Sequence, residues 1–141
     1  MGENPELIEG NLVASKKSKN EKRKAVYLRM IGSQALRLEW EKKSKTYSDN
    51  ELAGLLFYQT NDFLFSEEWR ALRLVALDRY GTDCAKCSRP NSLKFPVNVD
   101  HIKPRKYFPH LALDIENLQP LCHPCNKEKG NKDAIDYRIK L

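Results

Sequence analysis

Apolar residues recur at helical steps through the first half of the chain and at strand steps in one short later segment. From about Glu21, the positions Val26, Met30 and Leu38, with Tyr27, Ile31, Ala35 and Trp40, lie three or four residues apart and form a broad stripe, which predicts a first helix. Gly32 and Ser33 interrupt it and mark an expected bend. Ser48-Asp49-Asn50-Glu51 has the form of a capping box just ahead of Leu52, Leu55, Leu56 and Tyr58: the Ser48 hydroxyl can take the Glu51 amide, and the Glu51 carboxylate can return the bond. A third helix is expected from Ser66. Glu67 and Glu68 fall in its first turn, where the helix dipole favours negative charge, Trp69, Leu72 and Ala76 share one face, and Gly81 is the stop. At these spacings Phe57, Tyr58, Phe63, Phe65 and Trp69 read as core rather than as a surface for stacking bases.

The later segment, Phe95 to Val99, alternates as a half-buried strand should, runs into Asp100-His101-Ile102-Lys103 and is ended by Pro104. A short helix is expected from Pro124 or Cys125 through Asn126 to Lys129. Gly130 either stops it or merely interrupts it, since Asp133 to Lys140 suits a continuing helix. Residues 1–20, with Gly2, Pro5, Gly10 and a basic polar run, read as a flexible tail. The expected organisation is therefore a basic tail over 1–20, a helical extension over 21–81 and a separate unit over 82–141.

At 141 residues the chain can hold one domain, or a module of about 75 residues with a helical extension, but not two independent cores. No apolar run approaches the roughly 18 residues of a membrane span, and the first residues lack a secretory pattern, so the expected compartment is the cytoplasm. There are 25 basic against 19 acidic residues, a formal +6. The excess is concentrated: residues 15–45 hold 11 basic and 3 acidic side chains, densest at Lys16, Lys17, Lys19, Lys22, Arg23 and Lys24. Such an arm favours a polyanion, nucleic acid first, through phosphate contacts and counterion release. Lysines that only solvate a helix face remain the plainer explanation.

Two cysteine pairs change the picture: Cys84-Ala-Lys-Cys87 and Cys122-His-Pro-Cys125. A two-residue gap lets both thiolates of a pair reach one metal from a tight turn, and two such turns complete a tetrahedral sulfur site. In a reducing compartment metal ligation is favoured over disulfides. Zinc suits a site that needs no redox chemistry, although iron also fits four thiolates. Such a closed site supplies folding energy and leaves no position for a substrate.

Between the pairs, Asp100 and His101 end the strand inside a basic segment with Lys103, Arg105 and Lys106. A carboxylate can hold a hard cation against a phosphate, and a neutral imidazole can take a proton from water near pH 7. Amides such as Asn117 and Asn126 can fix geometry or coordinate without adding charge. Neighbours on a regular strand face opposite ways, so both residues serve one site only where the strand ends or twists.

Cys84-x-x-Cys87, Val99-Asp100-His101-Ile102-x-Pro104, Asn117-Leu118-Gln119-x-Leu121-Cys122-x-x-Cys125 and Asn126-x-x-Lys129, in this order, resemble the HNH family of metal-dependent nucleases. The preceding helices, with Phe65-x-x-x-Trp69-Arg70, are similar to the leader of phage and prophage members. The resemblance implies an α+β fold: a small ββα-metal finger stapled by a four-cysteine zinc site and preceded by an all-helical extension. It implies a DNA endonuclease that leaves 5′-phosphate and 3′-hydroxyl ends, acting in the cytoplasm of a bacterial host. His101 would be the general base, Asp100 a ligand of one catalytic Mg²⁺ or Mn²⁺, and Asn117 the residue that orients the base through a backbone contact. Asn126 stands where many members have a metal-binding histidine, so the chain resembles an H-N-N variant with an amide oxygen ligand, a donor suited to hard cations. Cys84, Cys87, Cys122 and Cys125 would hold the structural zinc, and Arg105, Lys103 and Lys129 would contact phosphates, Arg105 first because a guanidinium binds bidentately.

Of the other histidines, His123 is expected exposed within its knuckle, and His110 is a lesser candidate to approach the cation. The partner would be double-stranded DNA, with no membrane. A monomer would nick and a homodimer would cut both strands, and phage terminase or portal machinery is a further candidate partner. Two other readings share the cysteines and the charge: a zinc-stabilised DNA-binding protein without catalysis, and a protein-interaction zinc module. The first gives no reason for Asp100-His101 and Asn126 at their positions relative to the knuckles, and the second predicts no salt-dependent DNA binding.

Overall fold

The computed structural model describes residues 18–138, with the side chains of residues 24–31 outside that description. Most of the expected tail, the apolar positions Val26, Tyr27, Met30 and Ile31, and the chain from Ile139 onward therefore lie outside the described residues. Helix α1 spans Lys19–Ser44. It starts two residues before Glu21 because the Ser18 hydroxyl caps it, accepting from the Glu21 amide at 3.2 Å. The helix continues through Gly32 and Ser33 without the expected interruption. Gly32 serves close approach instead: a Cβ there would lie 2.8 Å from the backbone oxygen of Lys132.

Helix α2 is Asp49–Gln59, and Ser48 accepts from the Glu51 amide at 3.2 Å. The return bond from the Glu51 carboxylate is absent among the described residues. A 3₁₀ turn, Asn61–Phe65, leads to helix α3, Glu67–Tyr80, capped by Ser66 on the Trp69 amide. Gly81 ends α3 at φ 89°, in the region that suits glycine.

Strand β1 (Val97–His101) pairs antiparallel with β2 (Leu118–Cys122), so that Asp100 faces Gln119 and His101 faces Leu118. Helix α4, His123–Lys129, follows β2 directly and stops at Gly130, φ 52°. The continuing helix considered for Asp133 onward does not form as far as residue 138. Its backbone is used otherwise: the Gln119 side chain donates to Ile135 O at 3.1 Å and accepts from the Tyr137 amide at 2.8 Å.

Three apolar clusters join these elements. Phe63, Trp69 and Ala76 from the extension pack on Val99, Ala112 and Leu118; Cys84, Val97, Leu121 and Cys122 form a second cluster; Leu36 of α1 meets Tyr107 and Phe108 in the third. The aromatic set thus divides. Phe63 and Trp69 are core and Tyr58 packs against them, but Phe57 and Phe65 are exposed, Phe65 at 70%. Leu38 is also exposed, whereas the contacts described for α1 fall on Gly32, Ser33, Leu36, Glu39 and Trp40. Polar struts complete the join: Arg105 Nη1 donates to Tyr58 O (2.6 Å) and Thr60 O (2.9 Å), and Gln59 Nε2 donates to Lys106 O (2.7 Å). The architecture is α+β, a small ββα unit beside a cysteine cluster with helices before it.

The Gly32 contact gives a test with a decided sign. Alanine in a helix interior gains about 1 kcal/mol over glycine, but a methyl pressed on a backbone oxygen forces a shift of about 1–3 kcal/mol. Gly32→Ala is expected to lower the melting temperature and speed amide exchange over residues 130–137; a rise in melting temperature would refute the close contact.

Candidate functional site

Two centres share the ββα unit, one closed and one open. At the closed centre the sulfurs of Cys84, Cys87, Cys122 and Cys125 all lie within 4.8 Å of one another, and Cys87 Sγ is 3.7 Å from Cys122 Sγ. Four thiolates at about 2.3 Å from a tetrahedral Zn²⁺ would stand about 3.8 Å apart, so the cluster fits that ion. Cys84 and Cys87 come from the turn after α3, and Cys122 and Cys125 from the end of β2 and the first turn of α4. A shared ion therefore staples the start of the unit to its β2–α4 corner. Burial opposes ionisation of Cys84, yet backbone amides of Cys87, Cys122 and Lys86 outweigh it and bring the thiol down to about 6. Cys125 is pushed the other way by burial and by its sulfur neighbours. Four thiols this close resist common ionisation, which a cation among them would relieve.

The open centre is a cleft of about 570 Å³ bordered by Asp100, His101, Asn126, Arg105 and Lys106, with Gln59 and Asn61 from the extension on its far side. Val99, Asp100 and His101 all border it although successive side chains on a strand alternate. Side chains from both faces of β1 therefore reach it near the end of the strand. One face sends His101 against α3, where its ring stacks on Trp69 at 4.7 Å. The other sends Asp100 toward Gln119 and α4.

His101 is fixed in one tautomer. Its Nε2 lies 2.9 Å from Ala112 O, and a carbonyl only accepts, so Nε2 carries the proton and Nδ1 keeps the lone pair. Burial pulls its pKa down to about 4 despite that carbonyl, with the charges of Arg105 and Lys129 adding to the fall. Asn117 holds the loop that presents the carbonyl. Its Nδ2 donates to Lys103 O (3.1 Å) and Leu111 O (3.3 Å), its Oδ1 accepts from the Lys103 amide (2.9 Å), and its own carbonyl accepts from Ile102. Leu111 immediately precedes Ala112, so Asn117 bears on His101 through the backbone.

Asp100 is 9% exposed, and burial raises its pKa; Lys129 and the Gln119 hydrogen bond oppose the rise without cancelling it. Gln119 Nε2 (3.1 Å) and Lys129 Nζ (3.4 Å) both approach Oδ2. Among the described residues Oδ1 has no partner, and neither does the Asn126 amide. One carboxylate oxygen and one amide oxygen beside an open cleft suit a hard divalent cation that keeps several waters and shares a phosphate.

Three expected phosphate contacts are placed differently from one another. Lys129 does not face solvent: its side chain is 1% exposed, with Nζ on Asp100 and on His101 O (3.2 Å), so it cannot reach DNA. Lys103 does not border the cleft. It pairs with Glu39 of α1 at 3.4 Å and sits over the Phe108 ring. Arg105 borders the cleft, but Nη1 is taken by the two carbonyls of the extension. Lys106, three residues beyond Lys103, is the exposed cation on the rim. His110 does not approach the cleft: it stacks on Trp40 at 5.8 Å in a separate pocket with Tyr47 and Leu55. His123 is exposed, as expected. Gln119 was missed as a site residue, although a glutamine between Leu118 and Leu121 in a buried strand was a visible signal.

Residues 84–132 match the HNH endonuclease family model. Over 87 residues, 60% of the chain, the sequence is 28% identical to the Septu protein PtuB of Bacillus thuringiensis. The match takes in 34% of that protein, so the chain spans about a third of its relative's length. No solved structure matches the chain. The segment from Cys84 is thus similar to the HNH endonuclease family: a ββα unit beside a four-cysteine cluster that suits a structural zinc.

Two outcomes follow from this geometry. Cys87→Ser and Cys125→Ser are each expected to lose bound zinc and unfold the unit, as would a strong chelator; near-normal zinc content and melting in both would contradict the closed site. For His101 the neutral ring is the folded form. Its folded pKa lies below the usual 6.5, so this residue's contribution to stability is intact above 6.5 and is lost as pH falls toward 4. An NMR titration should show its ring midpoint well below 6, whereas a midpoint at 6.5 or above would contradict the buried, carbonyl-bound imidazole.

Proposed function

We propose that this chain is a metal-dependent DNA endonuclease and that the cleft beside β1 is where a phosphodiester is hydrolysed. The observation that supports this most is the meeting of Asp100, a lone-pair-bearing His101 and Asn126 on one cleft, while the cysteine cluster is closed and stands apart. A bound Mg²⁺ or Mn²⁺ would supply charge neutralisation on the phosphate and on the departing 3′ oxygen. Asp100 Oδ1 and the Asn126 amide oxygen are the residues that would hold it.

The chain's own groups do the rest. His101 Nδ1 accepts the proton of the attacking water, while Nε2 stays bound to Ala112 O and keeps the ring aimed. Asn117 keeps that carbonyl in place. Trp69 stacks on one face of the ring, and this burial keeps the imidazole neutral at pH 7, with the Nδ1 lone pair free for the water. Lys106, with the free part of the Arg105 guanidinium, offers positive charge to neighbouring phosphates. Lys129 offsets part of the Asp100 charge, so a cation would bind the protein alone with modest affinity. A DNA phosphate would add the missing negative charge, and metal and DNA should bind cooperatively. Double-stranded DNA as substrate, 5′-phosphate products and a nick by one chain belong to this reading.

The test is nicking of supercoiled plasmid with Mg²⁺ and Mn²⁺. Wild type is expected to cut, and His101→Ala to lose about 10²- to 10⁴-fold in rate with zinc content, melting and DNA binding retained. Equal inactivity of both proteins, with DNA binding and zinc intact, would replace this reading with a zinc-stabilised DNA-binding protein that does not cut.

A further inference from the structure

We infer that Gln119 is a positioning residue that decides which oxygen of Asp100 faces the cleft, and that the C-terminal segment Ile135–Tyr137 locks it in that task. The inference rests on the hydrolytic reading of the cleft and names a residue that reading does not use. Gln119 is fully buried, at 0% exposure, directly opposite Asp100 in the strand register. Every bonding position of its amide that matters is filled by a group of fixed polarity. Nε2 donates to Asp100 Oδ2 (3.1 Å) and to Ile135 O (3.1 Å), and Oε1 accepts from the Tyr137 amide (2.8 Å). A backbone N–H only donates and a carbonyl only accepts, so the amide has one possible orientation. Turned over, it would set oxygen against the Asp100 carboxylate and Ile135 O, and nitrogen against the Tyr137 N–H.

The consequence falls on Asp100. With Oδ2 held by Gln119 from β2 and by Lys129 from α4, the carboxylate presents Oδ1 to the cleft. A ligand fixed in this way has no rotamer freedom to lose when a cation arrives, and partners that orient metal ligands are typically worth 10- to 100-fold in metal affinity. Because the orientation of Gln119 depends on Ile135 and Tyr137, these two residues act on Asp100 without bordering the cleft. Their segment is anchored independently by Arg138 Nη1 on Leu118 O and by the close approach of Lys132 O to Gly32.

The experiment is titration of the zinc-loaded, full-length protein with Mn²⁺ alone, followed by electron paramagnetic resonance, with Asp100→Ala as the control. Gln119→Met keeps the bulk and removes all three bonds, and Tyr137→Pro leaves the Gln119 side chain intact but removes the N–H that orients it, with Tyr137→Ala as the control for the lost ring, which packs against the cysteine cluster. Gln119→Met and Tyr137→Pro are each expected to weaken the Asp100-dependent Mn²⁺ site about 10- to 100-fold while zinc content stays at the wild-type level, and the double variant should be little worse than either alone. Unchanged Mn²⁺ affinity in the single variants, with lowered melting only, would show a merely structural role and overturn the inference while leaving the hydrolytic reading standing. Absence of an Asp100-dependent site in the wild type would overturn both. Should Gln119→Met fail to retain zinc, Tyr137→Pro decides the matter by the same criterion.

Discussion

The convergence of four sulfurs on one point is the constraint from which the rest of the unit follows. The ββα segment has two five-residue strands and a seven-residue helix. Elements so short, with a two-stranded sheet, do not hold a register unaided. Bringing Cys84 and Cys87 to Cys122 and Cys125 fixes the end of β2 and the first turn of α4 relative to the chain after α3. Once the end of β2 is fixed, antiparallel pairing sets Gln119 against Asp100 and Leu118 against His101. The open centre is thus positioned by the closed one, although no residue belongs to both.

The helical extension supplies what the small unit lacks. Phe63 and Trp69 give the sheet a core to pack on, and Trp69 also forms one wall of the His101 environment. Arg105 and Gln59 tie the loop after β1 to the end of α2, which places the extension along one side of the cleft. The depressed basicity of His101 is therefore a property of the two parts together. This explains why the charge of Arg105 is spent partly on structure, and why Lys106 is left as the rim cation.

Much of this was legible in the residues, and the failures share one cause. Paired cysteines, the Ser48 cap, the helix start at Ser66 and the Val97–Val99 alternation are local patterns with local physical meaning, and each appears in place to within a residue. Periodicity states that a face exists but not how wide a surface will meet it. Leu38 belongs to the apolar stripe of α1 and is exposed, because the contacts described for that helix fall on its neighbours Leu36, Glu39 and Trp40 instead. Lys129 was read by its charge as a phosphate contact; its position at the last turn of α4 instead turns it inward, where a buried carboxylate needs a partner. The segment after Gly130 suited a helix by composition, and a buried glutamine side chain took its hydrogen bonds. Each error concerns which long-range partner a group finds, and spacing along the chain does not carry that information.

The central claim is that Asp100 and Asn126 hold a divalent cation on a DNA phosphate within reach of His101 Nδ1. Its most direct test is a crystal structure of the His101→Ala protein with duplex DNA and Mn²⁺, located by anomalous scattering. The account predicts a manganese peak in the cleft between Asp100 Oδ1 and the Asn126 amide oxygen, with a phosphate oxygen completing the site. DNA bound with the cleft empty of manganese, or a peak at other residues, would contradict it.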